Sequence, residues 1–270
     1  MILVTGASGQ LAQAILHHLK EAGVDAVGGT RTPGDDPRQR LLNFDDPDTL
    51  DFGGVGTLVI VSAGTAEDDV VIARHENAVT AAERSNVQHI IYTSVADGGD
   101  HLGFALAHRW TERRLQQGTV PWTILRNGLY AELIGQLLTP EAGTITAPFG
   151  PGSVAAIARQ DLAEAASFVA QDPRAHAGRT YNLVGTEAIS ALDVAEELGA
   201  AYKPGTLADL RSALNTAGLL PFQPAMLLSI HTAVAHGFLD ETTQDITQLL
   251  GRAPRNPLTV AAAAAQGQWQ

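Results

Sequence analysis

Ile2-Leu3-Val4-Thr5-Gly6-Ala7-Ser8-Gly9-Gln10-Leu11-Ala12 is the stretch that decides how this chain folds. Its first four residues read as a β-strand that runs straight into a glycine turn. A helix follows, because Leu11, Ile15, Leu19 and Ala22 recur at three to four residues and Gly23 stands where a helix C-cap belongs. In Gly6-x-x-Gly9-x-x-Ala12 the glycines let the turn close. They also let backbone N–H groups approach a pyrophosphate at the helix N-terminus, where the dipole favours anions. Ala12 replaces the usual third glycine at a position that needs only a small side chain. A glycine triplet alone is weak evidence, but here the strand before it and the periodic helix after it supply the required context.

Working outward, further strands are predicted at Asp25–Gly29, Leu41–Asn43, Thr57–Val61, His89–Ser94 and Trp122–Arg126, with helices at Val70–Ser85 and Gly103–Gln116. Continuous apolar strands alternating with helices imply a parallel sheet buried on both faces, the doubly wound α/β (Rossmann) pattern. After residue 126 the pattern loosens. Residues 135–158 are rich in Gly and Pro, and Asp161-Leu162-Ala163-Glu164 reads as a capping box opening a helix. Arg179–Val184 fits one more strand. Helices are then expected at Ser190–Gly199, Leu207–Ala217, Ala225–Phe238, Thr243–Leu250 and the alanine-rich Val260–Ala265, with Gly267 to Gln270 frayed. The expected organisation is a dinucleotide-binding domain of residues 1–126 and 159–184, and a smaller, mostly helical, substrate-binding cap of residues 127–158 and 185–270.

Composition narrows the function. Seventeen Lys+Arg against twenty-nine Asp+Glu leave a formal net charge of −12, which repels phosphate backbones and anionic lipid. The densest basic cluster is only Arg109, Arg113 and Arg114, so neither nucleic acid nor membrane is expected as a partner. No cysteine is present, which excludes disulfides, thiolate metal sites and a cysteine nucleophile. The histidines show no metal-ligand spacing, and no metal is expected. No apolar run approaches the roughly 18 residues of a membrane span, and the N-terminus lacks the basic region of an export signal. A cytoplasmic protein, monomer or homodimer, is the expectation.

The ribose 2′ end separates NAD from NADP. Asp25 lies at the start of the second strand, the wrong end for a cofactor. Thr30 and Arg31 stand at its carboxyl end, and a guanidinium there suits a 2′-phosphate. NADP(H) is therefore favoured over NAD(H).

With Thr5-Gly6-Ala7-Ser8-Gly9-Gln10-Leu11, Val87-Gln88-His89-Ile90-Ile91-Tyr92-Thr93-Ser94 and Thr123-Ile124-Leu125-Arg126-Asn127-Gly128, the chain resembles the NmrA-like branch of the atypical short-chain dehydrogenases, and within it is similar to the NADPH-dependent quinone and triphenylmethane-dye reductases. The resemblance covers nearly the whole chain. It implies that Gly6, Ala7, Ser8, Gly9, Gln10 and Leu11 bind pyrophosphate and Arg31 the 2′-phosphate. It further implies that Asn43 and Phe44 sit by the adenine, where relatives usually carry an acid before the aromatic. Ser62 and Ala63 would line the inner ribose, and Thr93 and Ser94 the nicotinamide side. Asn127, Gly128 and Tyr130 would bind substrate at the pocket mouth.

The Tyr-x-x-x-Lys pair of ordinary short-chain dehydrogenases is missing: the only lysines are Lys20 and Lys203, and residues four after each tyrosine are Ala96, Ile134, Gly185 and Thr206. Alcohol-dehydrogenase and epimerase chemistry of the usual kind is thereby disfavoured. A quinone or cationic dye is already electron-poor and accepts hydride without strong acid help, so orientation in a dry pocket is the main requirement. If a proton donor exists, His108 is the candidate, since Phe104, His108, Thr111 and Leu115 share an inward helical face; Tyr130 is the other. His75 reads as solvated, as do Asp45, Asp46, Asp48 and Asp51, while Trp110, Trp122 and Phe168 read as core. The function expected is an NAD(P)H-dependent oxidoreductase passing hydride to a quinone or similar small molecule. The competing reading is a non-catalytic NAD(P)-binding redox sensor of the NmrA type.

Overall fold

The computed structural model describes residues 1–63 and 66–268; the last two residues of the expected frayed end lie outside them. In chain order the elements are β1 (Ile2–Thr5), α1 (Gln10–Glu21), β2 (Ala26–Thr30), β3 (Gln39–Leu41), β4 (Thr57–Val61), α2 (Asp68–Arg84), β5 (His89–Val95), α3 (Ala105–Gln117) and β6 (Trp122–Asn127). They continue with α4 (Ala131–Leu137), β7 (Thr144–Ala147), β8 (Ser153–Val154), α5 (Arg159–Gln171), β9 (Arg179–Leu183), β10 (Ile189–Ser190) and α6 (Ala191–Glu197). The last are β11 (Ala201–Pro204), α7 (Leu207–Thr216), α8 (Gln223–Ala235), α9 (Asp245–Leu250) and α10 (Pro257–Ala265).

Seven strands form the main sheet in the order β3-β2-β1-β4-β5-β6-β9. The pairs β1–β2, β1–β4, β2–β3 and β4–β5 are parallel. The chain leaves β1 for β2 on one side and later crosses to β4 on the other, so the strand order reverses at β1. In doubly wound sheets that reversal opens a crevice at the carboxyl ends of the strands. Leu3, Leu58, Ile60, Ile90 and Tyr92 pack a core with Ala78, Val79 and Ala82 of α2 and Leu115 of α3. The glycines of β2 serve close packing: a Cβ on Gly28 would lie 2.7 Å from the Ala7 Cβ, and one on Gly29 would lie 2.2 Å from Leu42 Cδ1. Between β2 and β3 there is no helix, as Thr32-Pro33-Gly34-Asp35-Asp36-Pro37 provides only turn chemistry.

The chain divides into two compact units, one of Met1–Ser94, Leu106–Arg126 and Leu162–Tyr181, the other of Val95–Ala105, Asn127–Asp161 and Asn182–Gln270. The second has its own core, which includes Ile134, Leu138, Ile145, Phe149, Val194, Ile230 and Val234. Its alanine-rich tail is helical as expected and buried: α10 meets α4 at Gly135, where a Cβ would lie 2.1 Å from the Ala261 carbonyl oxygen. Helix α4 and strands β10 and β11 were not expected, being too short for periodicity to show.

Two expectations are corrected. Asp161 is not a helix cap: α5 already starts at Arg159, and the fully buried Asp161 carboxylate accepts from Arg252 Nη2 at 2.9 Å, Arg255 Nη1 at 2.5 Å and the Arg255 backbone N–H at 2.7 Å. Phe168 is not core but 50% exposed, with its ring edge-on to His176.

Candidate active site

The first unit carries a cavity of about 290 Å³ at the carboxyl ends of β1, β2 and β4. Thr5, Gly6, Ser8 and Gly9 line it from the end of β1, Gly29, Thr30 and Arg31 from β2, and Val61, Ser62 and Ala63 from β4. Leu42, Asn43, Phe44 and Asp45 close one side, with Arg74 of α2 beside them.

The turn after β1 has the form an anion site needs. Gly6 adopts φ +67°, in the left-handed region where a side chain is strained. The Gly9 N–H donates to the Gly6 carbonyl at 2.8 Å, and a Cβ on Gly9 would lie 3.3 Å from that same oxygen. No side chain caps the first turn of α1 and no acidic residue stands in it. Its N–H groups and the positive end of the helix dipole therefore point to an anionic ligand. At the far end, the Arg31 guanidinium is exposed and makes no ion pair among the described residues. Asn43 is fixed by its surroundings: its N–H donates to Thr49 Oγ1 at 2.9 Å, and its Oδ1 accepts the Asp45 N–H at 3.1 Å. Asn77 Nδ2 donates to the Phe44 carbonyl at 2.9 Å. These features fit a dinucleotide, with pyrophosphate at Gly6–Gly9 and the adenosine end toward Arg31, Asn43 and Phe44.

Other expected residues lie elsewhere. Leu11 is buried and Gln10 is exposed at the start of α1; neither lines the cavity. Ala7 faces a separate surface cavity on the far side of the turn. Thr93 works from behind, its Oγ1 accepting the Ser62 N–H at 3.1 Å. Ser94 donates to Glu112, which is buried and also accepts from Arg109 Nη1 at 2.9 Å and Arg126 Nε at 2.9 Å. Burial opposes ionisation of Glu112, yet the hydrogen bonds from Arg126 and Ser94 and the two guanidinium charges hold its carboxyl below the usual range.

His108 Nδ1 and the Tyr92 hydroxyl are hydrogen-bonded at 2.8 Å. Burial, helped by the Arg109 charge, pushes His108 down to about 4, so near pH 7 the ring is neutral. Among the second unit's residues, Asn127 and Gly128 line a small cavity of about 20 Å³ with Val95, Val154 and Leu239. Asn127 Oδ1 is buried without a hydrogen-bond partner among the described residues. Gly128 sits against Leu183 and Val184, and Tyr130 lies under the Arg159 guanidinium, 4.9 Å from the ring centroid. Among the described residues no group of His, Asp and Glu is arranged to hold a metal.

A third expectation, at the cavity wall, is also corrected: that of His75. This residue is wholly buried, not solvated, and its Nε2 accepts the Ala63 N–H at 3.0 Å on the cavity wall.

Comparison with known proteins agrees with this geometry. Residues 6–173 match the NAD(P)H-binding family, and the chain belongs to it. Quinone oxidoreductase 2 of Escherichia coli (strain K12) is 29% identical over 271 residues, 93% of this chain and 94% of that protein. The crystal structure of an Escherichia coli NADPH-dependent quinone oxidoreductase complexed with NADPH superposes with a TM-score of 0.87 at 26% identity, covering 100% of both chains. Triphenylmethane reductase of Citrobacter sp., complexed with NADP(H), gives 0.86 at 26%, covering 97% of this chain and 99% of that one. The resemblance to the NmrA-like atypical short-chain dehydrogenases is thus borne out, as is the Rossmann architecture. No helix among the described residues is long and apolar enough to cross a membrane.

Proposed function

We propose that this protein is an NADPH-dependent reductase that delivers hydride to a quinone or a comparably electron-poor, flat small molecule. The observation that carries the reading is the cavity at the sheet's point of strand reversal, with an uncapped helix N-terminus at Gly6–Gly9 and Arg31, which makes no ion pair among the described residues, at the end of β2. Similarity along almost the full length to a quinone oxidoreductase supports the acceptor class.

NADPH, when bound, supplies the hydride. The protein's own contribution is holding and orientation. Gly6, Ser8 and Gly9 receive the pyrophosphate, Arg31 the 2′-phosphate, Asn43 and Phe44 the adenine, and Ser62 and Ala63 the inner ribose. Thr93 supports that wall through Ser62. We assign substrate contact to Asn127, Gly128 and Tyr130. His108, being neutral, acts as the hydrogen-bond partner of Tyr92 and is at most a weak acid. A quinone needs nothing stronger, since the negative charge it gains is spread over its own ring. The setting we infer is the cytoplasm, with a small-molecule acceptor as the partner.

The test is purified protein with NADPH and a panel of benzoquinones and naphthoquinones, followed by loss of nicotinamide absorbance. Turnover on several of them is expected. Tight NADPH binding without turnover on any acceptor would overturn the reductase reading in favour of a sensor, which the absent Tyr-x-x-x-Lys pair also allows.

A further inference from the structure

The adenosine end of the cavity carries three charged side chains. Arg31 follows β2, Asp45 follows Phe44, and Arg74 reaches in from α2; all three line the same space. Arg74 is engaged face to face with Asp45, donating from Nε at 2.7 Å and from Nη2 at 2.8 Å. Such bidentate pairs fix both groups in plane. Arg74 is mostly covered, with 17% of its side chain exposed, whereas Asp45 is 46% exposed and open to the cavity. Arg31 has no such partner among the described residues.

We propose that Asp45 sets the cofactor preference of this site, holding Arg74 away from a 2′-phosphate and offering its carboxylate to a free 2′-hydroxyl. The proposal rests on the dinucleotide reading of the cavity. A phosphomonoester carries close to two negative charges near neutral pH, and the carboxylate opposes it on the side where Arg74 would otherwise attract it. A carboxylate accepts hydrogen bonds through both oxygens and donates none when ionised, so it suits a ribose hydroxyl, the role acids play at this end of dinucleotide sites. Asp45 is ionised at working pH, because the Arg74 hydrogen bonds, with the charges of Arg74 and Arg31, hold it below the usual carboxylate range. The three side chains together carry one positive charge as found and two once Asp45 is neutral. The wall is therefore tuned toward accepting both cofactors, with Arg31 favouring NADP(H) and Asp45 moderating it.

Calorimetric titration with NADP⁺, NAD⁺, adenosine 2′,5′-bisphosphate and AMP tests this without turnover. Asp45→Asn is expected to tighten NADP⁺ and adenosine 2′,5′-bisphosphate about tenfold, near the 1.4 kcal/mol that a factor of ten represents, and to leave NAD⁺ and AMP unchanged or weaker. Arg74→Gln should weaken NADP⁺ several-fold in the Asp45→Asn background and little in the native one, the non-additivity expected of partners. An NADP⁺/NAD⁺ ratio in Asp45→Asn equal to that of the unsubstituted protein overturns the proposal. Failure of the unsubstituted protein to bind either dinucleotide overturns the underlying reading of the cavity instead.

Discussion

His75 and Ala63, twelve residues apart, are joined by a hydrogen bond from the Ala63 N–H to Nε2 at 3.0 Å. The other ring nitrogen faces Thr111 Oγ1 at 2.8 Å, and that hydroxyl already donates to the Ala107 carbonyl. Nδ1 must therefore carry the proton, and the imidazole is neutral with both nitrogens satisfied. A buried ring on α2 thereby holds the cavity wall at the end of β4.

His75→Leu removes that acceptor and leaves the Ala63 N–H unpaired, while Thr111 Oγ1 keeps its bond to the Ala107 carbonyl and loses only the donor it accepts from. The expected loss is about 1–3 kcal/mol of stability, the cost of an unmet buried polar group. NADPH affinity should fall several-fold as well, because Ala63 is no longer fixed. His75→Gln should recover part of both. Urea denaturation and fluorescence titration with NADPH measure the two effects. A destabilised variant that binds NADPH with unchanged affinity would make His75 a packing residue only.

Acid should destabilise the fold before its carboxylates titrate. Burial pushes His75 down to about 3 and both His89 and His108 to about 4. In the unfolded chain these rings protonate near 6.5. Below that pH the unfolded state binds more protons than the native one, so stability falls as pH drops through 6.5 and this loss levels off only near 3–4. At pH 5 each ring contributes a loss of up to about 2 kcal/mol, from 1.36 kcal/mol per pH unit. Chemical denaturation at pH 7.5 and pH 5 should show a fall of several kcal/mol, and His75→Gln should lessen its slope by about one proton. Equal stability at the two values would contradict neutral burial of these rings.

The local parts of the site were legible in the sequence and the long-range parts were not. That Gly6, Gly9 and Arg31 line the cavity could be read because strand, turn and helix are contiguous and Arg31 directly follows a strand. His75 was misjudged because its partners are 12 and 36 residues away. A signal was nonetheless present: Val71, His75, Ala78 and Ala82 share one buried face of α2. Asp161 fitted a capping pattern, yet its partners lie 91 and 94 residues on. The Asp45–Arg74 pair likewise joins two stretches that only the folded sheet brings together.

Glu112 should be the most costly single charge to remove in the first unit. Its side chain is 3% exposed and accepts from Ser94, Arg109 and Arg126. Glu112→Gln keeps the size but turns an NH₂ group toward two guanidiniums and removes the carboxylate charge that both face. Breaking a buried pair in this way costs about 3–5 kcal/mol; as the arginines are each about one-fifth exposed, the lower end is expected. Urea denaturation with an unchanged m-value would register this as lost stability alone. A change below about 0.5 kcal/mol, the range of ordinary surface substitutions, would show that desolvation already cancels the pair.

In the proposed reading, Arg31 supplies the contact that favours NADP(H), and Asp45 moderates it. Its guanidinium is exposed at the carboxyl end of β2 and has no partner among the described residues, so it is available to a 2′-phosphate at no cost in broken contacts. A charge-assisted hydrogen bond contributes about 1.5–3 kcal/mol, equivalent to roughly 10- to 100-fold in affinity. Arg31→Ala should raise the KM for NADPH by about that factor and the KM for NADH by less than threefold, with kcat nearly unchanged, because the contact is made equally in ground and transition states. Added salt should weaken NADPH binding more in the native protein than in the variant. If the two KM values rise together, Arg31 contacts a part of the dinucleotide that both cofactors share, and the 2′-phosphate must be held by another group at this end of the cavity.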